Sequence, residues 1–83
     1  MSSEGKNTND ILQAGNVRVA IVAARWNGEL VDPMIDCAVT EAKRHGVSDV
    51  TIERVDGSGE LPAGAQALAR SGKFDAIVAV GVI

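Results

Sequence analysis

The sequence predicts a parallel α/β sheet of β-α-β-α-β order, an incomplete three-layer sandwich with helices on either side of the strands. Three observations predict it. Val17–Ala24 (VRVAIVAA) and Asp75–Ile83 (DAIVAVGVI) are nearly continuous apolar, β-branched runs, the pattern of strands buried on both faces. Between them lie two segments with apolar residues at spacings of three and four, the period of amphipathic helices. The three strand starts are roughly 25–35 residues apart, the length of a right-handed βαβ unit. Because both crossovers are helical, the strands run parallel, and the first strand is expected in the middle of the sheet.

Each element has a local reason. Residues 1–16, rich in Ser, Gly, Asn and charge, read as a flexible arm with a short ordered piece at Ile11-Leu12. The domain proper is 17–83. Arg25-Trp26-Asn27-Gly28 breaks the first strand as a loop. A helix is predicted over 29–45, with Val31, Ile35, Ala38 and Ala42 on one face. Pro33 fits a helix only in the first turn, so Asp32 is expected to cap a helix that starts there. Lys43, Arg44 and His45 complement the helix C-terminus, and Gly46 suits the residue after it. Val50–Val55 is the second strand. Leu61, Ala65 and Leu68 form the apolar face of the second helix, which Gly72 ends. The last strand has no helix after it to cover it. Both faces of a parallel sheet need cover, so the sequence reads as the first half of a larger domain.

Composition narrows the function. The 83 residues carry 8 basic and 11 acidic side chains, a net charge of −3. The basic residues are scattered and no aromatic residues interleave with them, which argues against nucleic-acid binding. No apolar run approaches ~18 residues, so no membrane span is expected. The lone Cys37 excludes an internal disulfide and a multi-cysteine metal site, and reads as a small, partly buried apolar residue. The N-terminus lacks the apolar core of a secretory signal, which points to the cytoplasm. Apolar residues make up 46% of the chain, with one Phe, one Trp and no Tyr, so the core is thin and oligomerisation is expected.

The most informative stretch is residues 50–62, VTIERVDGSGELP. A strand turns over Asp56-Gly57-Ser58-Gly59 into a helix that opens with Glu60-Leu61-Pro62. Such a turn places free backbone N–H groups at the rim of the sheet, where open α/β proteins bind ligands. The helix N-terminus already has an anion of its own in Glu60. That favours a neutral, hydroxyl-bearing ligand over a bare phosphate. The plain structural alternative is a helix start capped by Ser58, with Pro62 in the first turn. Trp26 is either a loop anchor or a stacking face. His45, the only histidine, reads as a solvated residue at a helix end. Asp32 and Asp36 on one helix face read as solvated carboxylates, with no metal.

Three segments resemble the lumazine synthase (6,7-dimethyl-8-ribityllumazine synthase) family. Ala24-Arg25-Trp26-Asn27 is similar to its Arg/Ser–aromatic–Asn/His loop. Gly57-Ser58-Gly59-Glu60-Leu61-Pro62 is similar to its Gly-small-x-Glu-(Ile/Leu)-Pro turn. Ala79-Val80-Gly81-Val82-Ile83 is similar to the strand before its Arg-Gly loop. The helix end Lys43-Arg44-His45-Gly46-Val47 and the link Ser71-Gly72-Lys73-Phe74-Asp75-Ala76 also look like this family. The resemblance covers about residues 17–83.

The resemblance implies a flavodoxin-like fold and a transferase of riboflavin biosynthesis. The reaction would condense 5-amino-6-(D-ribitylamino)uracil with 3,4-dihydroxy-2-butanone 4-phosphate. No cofactor is implied, and the partners are the two substrates and further copies of the chain in a pentamer-based homo-oligomer. By position, Trp26 would stack on the pyrimidine and Glu60 would accept from ribityl hydroxyls, with Ser58 and the Gly59 N–H nearby. Backbone groups of Val82 and Ile83 would meet the pyrimidine edge. Position 59 is usually bulkier in the family, so glycine leaves the pocket wall thinner. The family's Arg-Gly-x-Thr-x-His loop, with its proton-transfer histidine, would follow Ile83, so no catalytic residue is assigned. Two other readings stand beside this one. One is a non-catalytic truncated α/β module for ligand binding or self-association. The other is an archaeal-type riboflavin synthase.

Overall fold

The computed structural model describes residues 13–83. Strand β1 (Arg18–Ala24) is followed by helix α1 (Gly28–Arg44) and strand β2 (Asp49–Val55). A 3-10 turn (Ser58–Glu60) leads into helix α2 (Leu61–Arg70), and strand β3 (Ala76–Val80) comes last. The sheet order is β2-β1-β3, all parallel, so the first strand is central as expected.

Central position explains the unbroken apolar run of β1. Residues 19–24 are all buried, and both faces of the strand are used. Val19, Ile21 and Ala23 point to one face, where they meet Val31, Ile35, Val39 and Ala42 of α1. Val22 points to the other face and lies under Gly64 of α2, where an added methyl would come within 3.1 Å of it. The two helices thus cover opposite faces of the sheet. β3 is apolar but more open: Val78 is 40% exposed, because no element among the described residues packs beyond it.

Helix α1 starts at Gly28, earlier than Pro33 suggests, so Asp32 is not its cap and Pro33 lies inside the helix. The physical reason is the side Pro33 occupies. Val31 and Ile35 are buried against the sheet, whereas Pro33 is exposed, so its ring lies on the water side of the helix. The ends follow expectation. Gly46 and Gly72 take φ of +86° and +74° just after the two helices, a conformation open to glycine at little cost.

β3 stops at Val80, short of the expected Ile83. β1 pairs with it only up to Ala23↔Val80 and then turns into the loop, so Val82 and Ile83 have no strand to bond. The arm's ordered piece at Ile11-Leu12 lies outside the described residues. Residues 13–16 are tied down, since the Ala14 N–H donates to the His45 carbonyl at 2.9 Å. At the same edge of the sheet Arg18 and Asp75 form a fork. The Arg18 N–H and Nε donate to Asp75 Oδ2 at 2.8 and 3.0 Å, and Nη2 donates to Oδ1 at 3.1 Å. These bonds hold the Asp75 carboxyl down at about 2.

Candidate functional site at the strand C-termini

The loops after β1, β2 and β3 meet at the C-terminal edge of the sheet, and every residue proposed from the sequence lies on them. The Trp26 loop is short, three residues between β1 and α1. It is stapled to the turn after β2: the Arg25 N–H donates to the Val55 carbonyl at 2.7 Å and the Trp26 N–H to the Asp56 carbonyl at 3.0 Å. The Arg25 guanidinium reaches Asp56 Oδ1 at 3.1 Å. Asn27 closes the loop in the left-handed region (φ 62°, ψ 50°), which Asn tolerates better than most residues. The Trp26 ring is 58% exposed, so it is not a buried anchor, and an apolar face is left open to a flat partner.

The second loop is organised by its own side chains, differently from a Ser58-capped helix start. Gly57, in extended conformation, is the cap residue, and Glu60 folds back so that Oε1 accepts the Gly57 N–H at 2.8 Å. Ser58 is engaged elsewhere. Its hydroxyl donates to the Val82 carbonyl at 2.6 Å, which joins the turn to the segment after β3. Gly81 makes that approach possible: a methyl there would lie 2.6 Å from Ser58 Oγ and 2.8 Å from Leu61 Cδ1. Gly59 is different, since a methyl on it would meet nothing within 4 Å.

Of the last two proposed residues, Val82 is half-buried against Ala23, Val31 and Ile35, and Ile83 is fully exposed. A cleft of about 380 Å³ lies on the α2 side of this edge, lined by Ser58, Leu61, Pro62, Ala79, Gly81 and Ile83 among others. Trp26 and Glu60 lie outside its lining. A second cleft, of about 390 Å³, opens on the α1 side, where Val17, Val19, Val47 and Ala76 place it toward the other edge. Its lining is mostly apolar, with Glu41 and His45 as its two ionisable residues.

Two residues escaped the sequence reading. Arg54 sits on the α1 side of β2, in register with Ala23, where Val50 and Ile52 lead one to expect a third apolar residue. That break in alternation was the available signal. Its Nη2 donates to the Ala24 carbonyl at 3.0 Å and to Asp32 Oδ1 at 3.1 Å. Asp32 is therefore paired, not merely solvated. Gly81 carried no signal, because its need for a missing side chain comes from residues far away in sequence.

His45 is only 21% exposed on its side chain and lies 2.9 Å from Glu41 Oε2, so it is more enclosed than a solvated helix-end residue. That contact is the first cause of a lowered Glu41 carboxyl pKa, with Arg44 adding to it. His45 ends the 17-residue α1, which runs away from the candidate site for roughly 25 Å at ~1.5 Å per residue. Cys37 is exposed, contrary to expectation, because it lies on the outer side of α1. Among the described residues, no three His, Cys, Asp or Glu side chains gather as a metal-binding group.

Comparison with known proteins matches the sequence to a family. The family model described as 6,7-dimethyl-8-ribityllumazine synthase matches residues 16–83. Proteins of that name from Saccharopolyspora erythraea, Salinispora arenicola and Streptomyces avermitilis are 41%, 46% and 40% identical to it over the whole chain. It covers 49%, 48% and 51% of them respectively, about half the length of these relatives. The match takes in the Trp26 loop, the Gly57–Pro62 turn and the segment after β3, and the chain belongs to the 6,7-dimethyl-8-ribityllumazine synthase family.

Proposed function

We propose that this chain provides the pyrimidine- and ribityl-binding part of a lumazine synthase. The reaction is the condensation of 5-amino-6-(D-ribitylamino)uracil with 3,4-dihydroxy-2-butanone 4-phosphate. The carrying observation is the family match over 16–83 onto a sheet edge where the Trp26 loop is bonded to the turn that bears Glu60. The three relatives all bear the lumazine synthase name, which favours this reading over a riboflavin synthase.

Each residue has a chemical part in this reading. The exposed Trp26 ring stacks on the pyrimidine and removes water from one of its faces. Glu60 uses Oε1 to hold the Gly57 N–H, but a carboxylate has about four acceptor positions. Oε2 remains to accept ribityl hydroxyls, so the capping and ligand roles coexist. The Ser58 proton is committed to the Val82 carbonyl. Ser58 therefore meets the ligand only as an acceptor, and it fixes the Val82 and Ile83 backbone that lies along the pyrimidine edge. The Gly59 N–H, in the first turn of the helical segment, is a donor for the ligand. These groups bind and orient; none is placed to move a proton.

The active protein is a homo-oligomer, pentamer-based as in the family, and acts in the cytoplasm. The exposed apolar side chains Leu30, Met34, Ile52 and Val78 are surface that such an assembly would cover. No helix of the described residues is long and apolar enough to cross a membrane.

The test is titration of a ribityl-pyrimidine against the full-length gene product and its Glu60→Gln variant. Gln keeps the cap to Gly57 but turns charge-assisted bonds into neutral ones, so binding should weaken by ~1–3 kcal/mol. Equal affinities would remove Glu60 from the site.

A further inference from the structure

We infer that Arg54 is the positioning residue of the Trp26 platform: its guanidinium grips both ends of the three-residue loop that presents the ring. The inference rests on the reading of Trp26 as the stacking face of a pyrimidine site. One end of the loop is the Ala24 carbonyl, the last of β1, and the other is the first turns of α1, reached through Asp32. Nη2 of Arg54 donates to both, at 3.0 and 3.1 Å.

The surroundings make this contact specific. Arg54 projects to the α1 side beside Ala23, whose small side chain leaves room for the guanidinium to cross toward the helix. Asp32 lies back over the helix start, its carboxylate 3.5 Å from where a Gly28 methyl would be, close to the positive end of α1. The pair is partly enclosed, with side-chain exposures of 30% for Arg54 and 61% for Asp32. Arg54 Nε is buried without a hydrogen-bond partner among the described residues. A strand residue that served packing alone would not bury an unpaired donor there, since that costs free energy. The benefit lies in the loop. Asn27 holds a left-handed conformation that its neighbours must maintain; the staples to Val55 and Asp56 fix the loop on its β2 side, and the Leu30 and Val31 N–H groups donate to the Asn27 carbonyl on its helix side. Arg54 adds a tie from β2 that holds the end of β1 and the first turns of α1 together. Without it the Trp26 backbone can swing with the first turn of α1, and the ring loses its fixed angle to the ligand.

The test uses the full-length gene product labelled with 5-fluorotryptophan, the Trp26 resonance being assigned by its loss in Trp26→Phe. Arg54→Met keeps the apolar stem and removes the donors; Arg54→Lys keeps a charge but reaches one acceptor at a time. Asp32→Asn weakens the helix end of the clamp alone. The ligand-free Trp26 resonance should shift or broaden in Arg54→Met, less so in Arg54→Lys and Asp32→Asn. KM for the pyrimidine substrate should rise about 10-fold in Arg54→Met, while KM for the four-carbon phosphate stays within about 2-fold, because a misplaced platform affects one substrate. If Arg54→Met does not fold, Arg54→Lys and Asp32→Asn carry both measurements. A Trp26 resonance identical to wild type in the folded variants overturns the clamp, whatever happens to KM. A changed resonance with pyrimidine affinity unaltered there and in Trp26→Phe supports the clamp, and it is the stacking role of Trp26 that then falls.

Discussion

Gly81→Ala places one methyl group at the most crowded point of the site. The new Cβ would lie 2.6 Å from Ser58 Oγ, 2.8 Å from Leu61 Cδ1 and 3.5 Å from Ala24 Cβ. Comfortable contact begins near ~3.5 Å, so Ser58 and Leu61 must retreat by roughly 0.7–0.9 Å. Leu61 is the first residue of α2, and moving it strains the packing, typically by ~1–3 kcal/mol. Ser58 can escape by rotating, but this breaks its hydrogen bond to the Val82 carbonyl, a further ~0.5–1.5 kcal/mol. Gly81 has no positive φ, so alanine there brings no backbone penalty and restricts the unfolded chain by ~0.4–1 kcal/mol in the fold's favour. The net expectation is a loss of about 2–3 kcal/mol. Urea unfolding of the full-length gene product measures it, with Ser58→Ala as the second arm of a double-mutant cycle. Removing Oγ takes away the closest contact, so Gly81→Ala should cost about 1 kcal/mol less in that background. A cost under about 0.5 kcal/mol, or the same cost in both backgrounds, would refute the reasoning.

Asp75 gives a pH prediction. Hydrogen bonds from the Arg18 side chain and backbone lower its carboxyl to about 2 in the folded protein. A lowered folded value means the stabilisation is complete above the unfolded value near ~3.9 and is lost as pH falls toward about 2. Unfolding curves between those limits should steepen against pH for wild type, and Asp75→Asn should flatten them; parallel profiles would count against the fork. Gly59→Ala should be neutral or stabilise by up to ~1 kcal/mol, since its methyl meets nothing within 4 Å, and thermal unfolding will show whether the position is as open as it looks. The 83-residue chain assayed by itself should show little synthase turnover. A positioned proton-transfer group is typically worth ~10²–10⁴-fold, and the only histidine, His45, lies at the far end of α1. Turnover near that of intact relatives would show that binding and orientation do most of the catalysis.

What could be read from the sequence was what depends on neighbours in the chain. The run from Val19 to Ala24 is apolar at every position, which only a central strand covered on both faces requires. Gly46 and Gly72 follow helix ends because the left-handed residue there is local geometry. The Trp26 loop and the Gly57–Pro62 turn were legible as connections at one rim of the sheet because both lie where strands hand over to helices. The start of α1 was read to within one residue, but Asp32 was misread as its cap, because Pro33 was judged by its ring alone. Which side of the helix it faces is decided by Val31 and Ile35 docking on the sheet. Cys37 was misjudged for the same reason. The contacts that shape the site join residues 22 to 31 positions apart: Asp32 with Arg54, Ser58 with Val82, Arg25 with Asp56. They follow from the parallel register of three strands. A linear pattern specifies which side chains are apolar, but not which strand ends lie side by side. Gly81 shows the limit most clearly. In sequence it is one small residue in an apolar run, and only the folded backbone brings Ser58 and Leu61 into the space its side chain would fill.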